Sequence, residues 1–361
     1  NVVFTGAAKV NKEDFILLTD TDKLERVKPK AKGKIYTLDL SEYMTAAADD
    51  IAVYEDNVLA NVGRYPDNGY ISAKFSGSAV SIDSADKRMW KNEPDGKLFG
   101  YFPSSYETAS ADFSINDSME IVTGFNRNDS VPLRAYNMLC EADSPGEYYI
   151  EGGILYYYPM GNLDNVEITD LRFELFNIVN SENITLDGIV AEKNKNNAIS
   201  ITGSKNVNVL NSEIRHIAGN GINISNSFDT TVDGCKIYDL RNSGVAVDNC
   251  GKYVTLQSGN TMIKNSRIYN FANTGAVNNA GVKITGGMDT TVYGCVIHDS
   301  AAQGITVGGG YGHAVQKCEV YNVTTYMSDA GAIYFNTGVL GRGSRVTDNY
   351  IHDIVCSHNN E

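Results

Sequence analysis

Polar side chains able to do chemistry gather near the end of the 361-residue chain. Asp329 lies in the run Tyr326-Met327-Ser328-Asp329, just ahead of the apolar alternation Ala332–Phe335. A carboxylate there suits a general acid/base or a nucleophile in glycoside cleavage, a reaction that normally takes two carboxylates. The competing role is structural: an Asp ahead of Gly331 can hold a turn by accepting backbone N–H groups. His298-Asp299 and His352-Asp353 are a second kind of candidate, with His313 and Arg342 in loops nearby. The two His-Asp pairs align with Arg215-His216, Tyr238-Asp239, Tyr269-Asn270 and Tyr321-Asn322. A pattern that returns at every repeat reads as architecture, with Asp and Asn as turn formers and His on the surface.

The elements that must position these groups are repeats. Six segments share one form: VLNSEI (209–214), VDGCKI (232–237), IKNSRI (263–268), VYGCVI (292–297), VQKCEV (315–320) and VTDNYI (346–351). Their last residues are spaced by 23, 31, 29, 23 and 31. A second ladder holds Ala198–Ile201, Gly221–Ile224, Gly244–Val247, Gly281–Ile284, Gly304–Val307 and Ala332–Phe335, with steps of 23, 23, 37, 23 and 28. Each run alternates apolar and polar residues and is rich in Val and Ile, as a strand with one inward face is. Gly, Asn, Asp and Ser fill the gaps, and no helical period intervenes. Several strands in 23 residues make one turn of a parallel β-helix, whose stacked coils bury the apolar ladders. Steps longer than 23 mark inserted loops, such as Asp248–Thr261. A leucine-rich repeat has a compatible period but needs L-x-x-L-x-L, and Leu is sparse here. The residue two before each ladder end (Ser212, Cys235, Ser266, Cys295, Cys318 or Asn349) reads as small packing at a tight corner, and a Cys295–Cys318 disulfide is not expected.

Residues 1–165 lack the repeat. Residues 1–10 read as a coil strand leading into an antiparallel β-domain at 11–165, with β-helix coils over 166–361. The predicted fold is therefore all-β, a right-handed parallel β-helix with an N-terminal antiparallel β-domain inserted between coils. Tyr101, Phe102, Tyr106, Tyr148, Tyr149 and Tyr156–Tyr158 could form a sugar-stacking platform, but strand-face packing is the favoured reading.

Lys and Arg number 30 and Asp and Glu 44, a net charge of −14. That argues against a general nucleic-acid binder and against a surface built for anionic lipid, and weakens without excluding a highly anionic polymer as substrate. No apolar stretch is long enough for a membrane span. The six cysteines are scattered without a CxxC pair, against a zinc site. GxSxG, HExxH, P-loop, Rossmann and EF-hand patterns are absent, so no cofactor or metal is expected. The chain begins at Asn1 without Met or an apolar leader core, as a processed product or fragment would.

Four stretches resemble glycoside hydrolase family 141, within the secreted right-handed β-helix proteins of carbohydrate metabolism. Gly63-Arg64-Tyr65-Pro66-Asp67 is similar to "ARYPN". Arg88-Met89-Trp90 with Gly100-Tyr101-Phe102 is similar to "RW…GYF". Asp143–Tyr149 with Leu155–Pro159 resembles "D-x-PGEWY…LYYYP". Ser328–Tyr334 with Arg342-Gly343 and Asn349–Asp353 resembles "D-x-GAIY…RG…N-x-IHD". The resemblance implies a secreted or cell-surface hydrolase of plant cell-wall or other complex polysaccharides, with fucosidase and xylanase activities in the family. It implies that Asp329 is one of two catalytic Asp residues, the other in a "GIY-x-D" run beyond Glu361, and that family chains also begin before Asn1.

The leading expectation is thus a glycoside hydrolase acting on a polysaccharide or oligosaccharide. Asp329 is its catalytic residue, and Arg342, His313, Tyr326 and Tyr334 are the sugar contacts. A polysaccharide lyase is an alternative, disfavoured by the negative charge and the lack of a dense Asp cluster for Ca²⁺. A non-catalytic β-helix that binds glycan or builds a surface structure is the other.

Overall fold

The computed structural model describes residues 2–43, 51–103, 107–169, 172–273, 278–327, 329–337 and 341–355. Contacts divide the chain into two compact units, Asn1–Gly6 with Leu171–Glu361, and Ala7–Asp170.

The first unit is a parallel β-helix of three sheets. In each coil the chain passes through a first sheet (Ile222–Ser225, Val245–Asp248, Ala280–Thr285, Gln303–Val307 and Ile333–Phe335 among its strands). It then passes through a second (Thr231–Asp233, Met262–Lys264, Thr291–Tyr293, Ala314–Gln316, Arg345–Thr347) and a third (Lys236–Leu240, Arg267–Phe271, Val296–Ser300, Glu319–Tyr321, Tyr350–His352). Val2–Thr5 joins the third sheet in parallel with Ile189–Asn194. The chain then leaves at Gly6 and resumes the coils from Phe176–Val179. Residues 7–10, read as part of the coil strand, instead belong largely to the second unit, because Ala7–Lys9 pairs antiparallel with Val166–Thr169.

The apolar ladders point inward. Ile214, Ile237, Ile268, Ile297 and Val320 are fully buried, as are Ile222, Val245, Val282 and Ile305. Each such side chain contributes about 1.5–3 kcal/mol of burial. The corner between the second and third sheets turns through one left-handed residue per coil: Asn211, Gly234, Asn265, Gly294, Lys317 and Asp348. Asn and Gly tolerate that conformation best. The small residues of this corner face inward and bond across coils. Ser266 Oγ accepts from Cys235 N at 3.1 Å and Asn349 Oδ1 accepts from Cys318 N at 2.9 Å. The five described cysteines are free and buried, and Cys356 lies outside the described residues.

Among the described residues the second unit is antiparallel apart from one parallel pair, Asn61–Val62 with Glu147–Glu151. One sheet closes on itself, because Lys97–Gly100 pairs with both Ala109–Ile115 and Ser130–Tyr136. Its core holds Phe75, Trp90, Leu98 and Phe102. Tyr101, Tyr148, Tyr149, Tyr156 and Tyr157 are buried, so they pack rather than offer faces to a sugar, while Tyr106 lies outside the described residues.

Candidate functional site

Coil lengths locate the functional face. From second to third sheet the advance is constant: five residues from Val232 to Ile237, Ile263 to Ile268, Val292 to Ile297, Val315 to Val320 and Val346 to Ile351. Both corners of the first sheet vary. Entering it, the chain advances eight residues from Ile237 to Val245 and from Ile297 to Ile305. The advance is fourteen from Ile268 to Val282 and thirteen from Val320 to Ile333. Leaving it, the advance is eight from Val307 to Val315, but sixteen from Val247 to Ile263 and eleven from Phe335 to Val346. Every insertion in these coils therefore flanks one sheet, and in solenoids such insertions mark the binding face.

The outward residues of the first sheet form two columns in register, Thr202, Ser225, Asp248 and Thr285 in one and, in the other, Ser200, Asn223, Ala246, Lys283, Thr306 and Tyr334. Neighbours in each are about 4.8 Å apart. Tyr334 is half-buried, and the Lys283 ammonium donates to Asn278 O at 2.7 Å. Asp329 is carried by the thirteen-residue entry to the last strand of this sheet and is exposed; Tyr326, in the same loop, is half-buried. Arg342 lies across the sheet, in the loop that leaves the same strand, and is exposed; its carbonyl accepts from Gly312 N at 2.9 Å. Asp329, Tyr326 and Tyr334 thus belong to one corner and strand, and Arg342 to the opposite corner. Lys283 is not among the sequence candidates, although its place in the Gly281–Ile284 run already aligns it with Tyr334.

His313 does not reach this face. Its side chain is fully buried, with Nδ1 accepting from Thr290 N at 3.2 Å and Nε2 donating to Gly309 O at 3.1 Å. Those partners select the neutral Nε2–H tautomer, and burial pushes the imidazole pKa down. The ring stands where Thr261 and Thr290 stand in earlier coils, and it pins the Gly309-Gly310 turn: a Cβ on Gly310 would come 2.3 Å from Nε2. As a sugar contact it is replaced by a structural role, because no polar atom of the ring is left to offer.

The His-Asp pairs lie on the outer face of the third sheet. Tyr238, Tyr269, His298, Tyr321 and His352 stack in sequence, with ring centroids 4.7–5.0 Å apart and planes within 14°. Successive coils repeat at the thickness of a ring stack, so each aromatic face is covered by the next. His298 is buried, accepts from Arg267 Nε at 3.0 Å and bonds Asp299 at 2.8 Å. Both its nitrogens and both its faces are in use. His352 is bonded by Asp353 and by Glu319, which raises its pKa.

In the second unit, Asp67, Asp143 and Glu147 bring carboxylate oxygens within 4.8 Å of one another. Lys28 and Lys30 already neutralise Asp143, at 3.0 and 2.9 Å. Glu147 is buried, and Oε2 accepts from Asp143 N at 3.1 Å and Ser144 N at 3.0 Å. Burial, with Asp67 adding to it, pushes the Glu147 carboxyl up to about 8. The cluster fastens the turn before Glu147–Glu151 and is no match for a cation cage.

A family model described as "Right handed beta helix region" matches residues 144–257. No curated protein matches the sequence. A solved structure titled "Glycoside hydrolase" superposes with a TM-score of 0.63 at 10% identity, covering 99% of this chain and 83% of that one. XylC in complex with xylose gives 0.47 at 12% identity, covering 97% of this chain and 55% of that one. The A-module of the Azotobacter vinelandii mannuronan C-5 epimerase AlgE4 gives 0.39 at 15%, over 53% and 54%. At such identities the likeness is one of fold. The family-model match and the superposition at 0.63, together with the three stacked parallel sheets, make this chain a right-handed parallel β-helix.

Proposed function

We propose that this chain is a carbohydrate-active protein that holds a glycan along the outer face of the first sheet and cleaves a glycosidic bond there. The observation that carries the reading is the insertion pattern: the loops flanking this one sheet vary, while the remaining corner stays constant. Asp329, exposed at the rim, serves as general acid/base or nucleophile. Tyr334 and Tyr326 on its side and Arg342 on the other contact the sugar. The resemblance to family 141 supports a hydrolase, with the second carboxylate on a further coil. A separation of about 5 Å between the two would give retention, and about 6.5–9.5 Å inversion. A secreted or cell-surface location fits a polymeric substrate.

The test is Asp329→Asn assayed on a panel of polysaccharides. Loss of general acid/base catalysis lowers turnover by about 10²–10⁴, while binding persists. Unchanged turnover would remove Asp329 from the reaction. Release of an unsaturated product absorbing in the ultraviolet would instead assign a lyase. The two outward columns of the first-sheet strands hold one carboxylate between them, Asp248, which lies three coils before the strand of Tyr334 and so stands far from Asp329. The lack of a carboxylate on the strands next to Asp329 favours a second reading, a glycan-binding protein without turnover. Binding with no cleavage by the unaltered protein would establish it.

A further inference from the structure

We infer that the corner where the chain leaves the first sheet is a further subsite, sharing Arg342 with the proposed glycan face, for a carboxylated sugar, built from Tyr253, Tyr311 and Arg342. The inference rests on the reading of the chain as a glycan-binding protein. It adds a place and a ligand chemistry that Asp329 does not supply.

The subsite begins with the loop inserted between Val247 and Ile263. The loop closes on itself, because Lys252 and Gln257 exchange backbone hydrogen bonds at 2.8 and 2.9 Å. Its neck is pinched: a Cβ on Gly251 would lie 2.5 Å from Gly259 N, and one on Gly259 would lie 2.6 Å from the Cys250 carbonyl. Ser258 Oγ bonds the Asp289 carboxylate, and Met288 N donates to Cys250 O at 2.7 Å, which ties the loop to the next coil. A loop anchored this way presents its tip in a set position, so little ordering entropy is lost on binding.

The tip offers an aromatic ring to solvent. Tyr253 is 50% exposed, and its ring sits 5.9 Å from that of half-buried Tyr311 with the planes at 36°. Unlike the rings of the third sheet, these two are not closed off by a continuous stack. Tyr311 pairs with Met288 on the coil below, and the Gly312 N–H bond to Arg342 O places Arg342 on the coil above. The two rings and the Arg342 backbone thus follow one another along the corner.

Charge defines the ligand. Arg342, Arg345 and Lys252 are all exposed, and none has a carboxylate within ion-pair distance among the described residues. Elsewhere in the coils Arg215 is held by Glu192 and Lys264 by Asp233, whereas these three face solvent without such a partner among the described residues. An exposed arginine on the coil next to half-buried Tyr311, with exposed Tyr253 against that ring, suits a carboxylate attached to a sugar ring with an apolar face. A uronic acid unit has that form: its C–H face lies on Tyr253 and its carboxylate takes the Arg342 fork.

The experiment is calorimetric titration with a short oligogalacturonate and, separately, a neutral xylo-oligosaccharide at low and high salt. The proteins are the unaltered chain, Tyr253→Ala, Tyr253→Phe, Arg342→Gln and Asp329→Asn. The expected result is binding of the acidic probe that weakens with salt, about tenfold loss in Arg342→Gln, a comparable loss in Tyr253→Ala, recovery in Tyr253→Phe, and no change in Asp329→Asn. Thermal midpoints should match throughout, because both side chains are at the surface. The inference is overturned if the unaltered chain does not bind the acidic probe, if both probes bind equally, or if Arg342→Gln and Tyr253→Ala bind it as the unaltered chain does. Turnover of a neutral glycan without acidic binding would sink this subsite and leave the hydrolase reading standing. Acidic binding without any turnover would do the reverse.

Discussion

Gly281→Ala tests the claim that coils approach so closely on the first sheet that a methyl group cannot enter without movement. The position belongs to a glycine column, Gly221, Gly244, Gly281 and Gly304. In each, an added Cβ would fall 2.4–2.7 Å from a methyl of the third-sheet ladder and 2.5–2.8 Å from the next coil's carbonyl. At Gly281 the clashes are with Ile297 Cγ2 at 2.5 Å and Gly304 O at 2.8 Å. Its backbone is not left-handed. Alanine would therefore gain about 0.4–1 kcal/mol by restricting the unfolded chain. Overpacking a full core costs about 1–3 kcal/mol. Ala198 and Ala332 occupy the same column in outer coils, so a local shift can relieve part of the clash and the cost stays near the middle of that range, at about 2 kcal/mol. The net is a destabilisation of about 1–2 kcal/mol, or a fall of roughly 3–6 °C in Tm for a unit of this size. Gly308→Ala is the matched control: its nearest atom is a carbonyl at 3.7 Å and its φ is ordinary, so it should be neutral or slightly stabilising. Thermal unfolding of both variants, with hydrogen exchange on peptides from 281–307, makes the comparison. If Gly281→Ala is as stable as the unaltered chain, or if both variants lose equally, the close-approach argument is wrong.

Two further outcomes concern pH. The Glu147 carboxyl has a folded pKa raised to about 8 from 4.5, so the folded state holds its proton more tightly; its stabilising contribution is complete below about pH 4.5 and is lost as pH rises toward 8, by at most a few kcal/mol. Glu147→Gln, whose amide oxygen still accepts from Asp143 N and Ser144 N, should flatten that slope in urea unfolding followed by the single Trp90, and an unchanged slope would dismiss Glu147 as its source. For His313 the sign is opposite: burial lowers its folded pKa below the ordinary 6.5, so stability is complete above pH 6.5 and falls as pH drops below it. His313→Thr, which restores the residue type of Thr261 and Thr290, should show less acid loss between pH 6.5 and 5 by calorimetry; equal loss in both proteins would refute the assignment.

The strand ladders are legible in the sequence because burial imposes a period of two, and Val and Ile mark it whatever the neighbouring coil contains. Asn211, Asn265 and Asp348 are readable as turn formers for the same local reason: their short side chains tolerate the left-handed backbone. His313 misleads because a histidine in a glycine-rich loop looks available for chemistry, and only the coil beneath, through Thr290 N, occupies its ring nitrogen. His298 does not mislead in that way because its position recurs, yet the stack that covers both its faces emerges only in three dimensions. Tyr253 and Tyr311 are 58 residues apart in sequence, and nothing local indicates that their rings meet.

From its own residues the chain determined a stacked parallel tube, the lengths of its inserted loops and an Asp ahead of the last first-sheet strand. These depend on alternation, turn chemistry and counting, which act between residues close in sequence. Tertiary structure alone decided that the insertions flank one sheet, that His313 faces inward, and that Arg342 stands across that sheet from Asp329. Those outcomes depend on which side of a coil each corner falls and on what the next coil places against it, contacts that couple residues 23 or more positions apart.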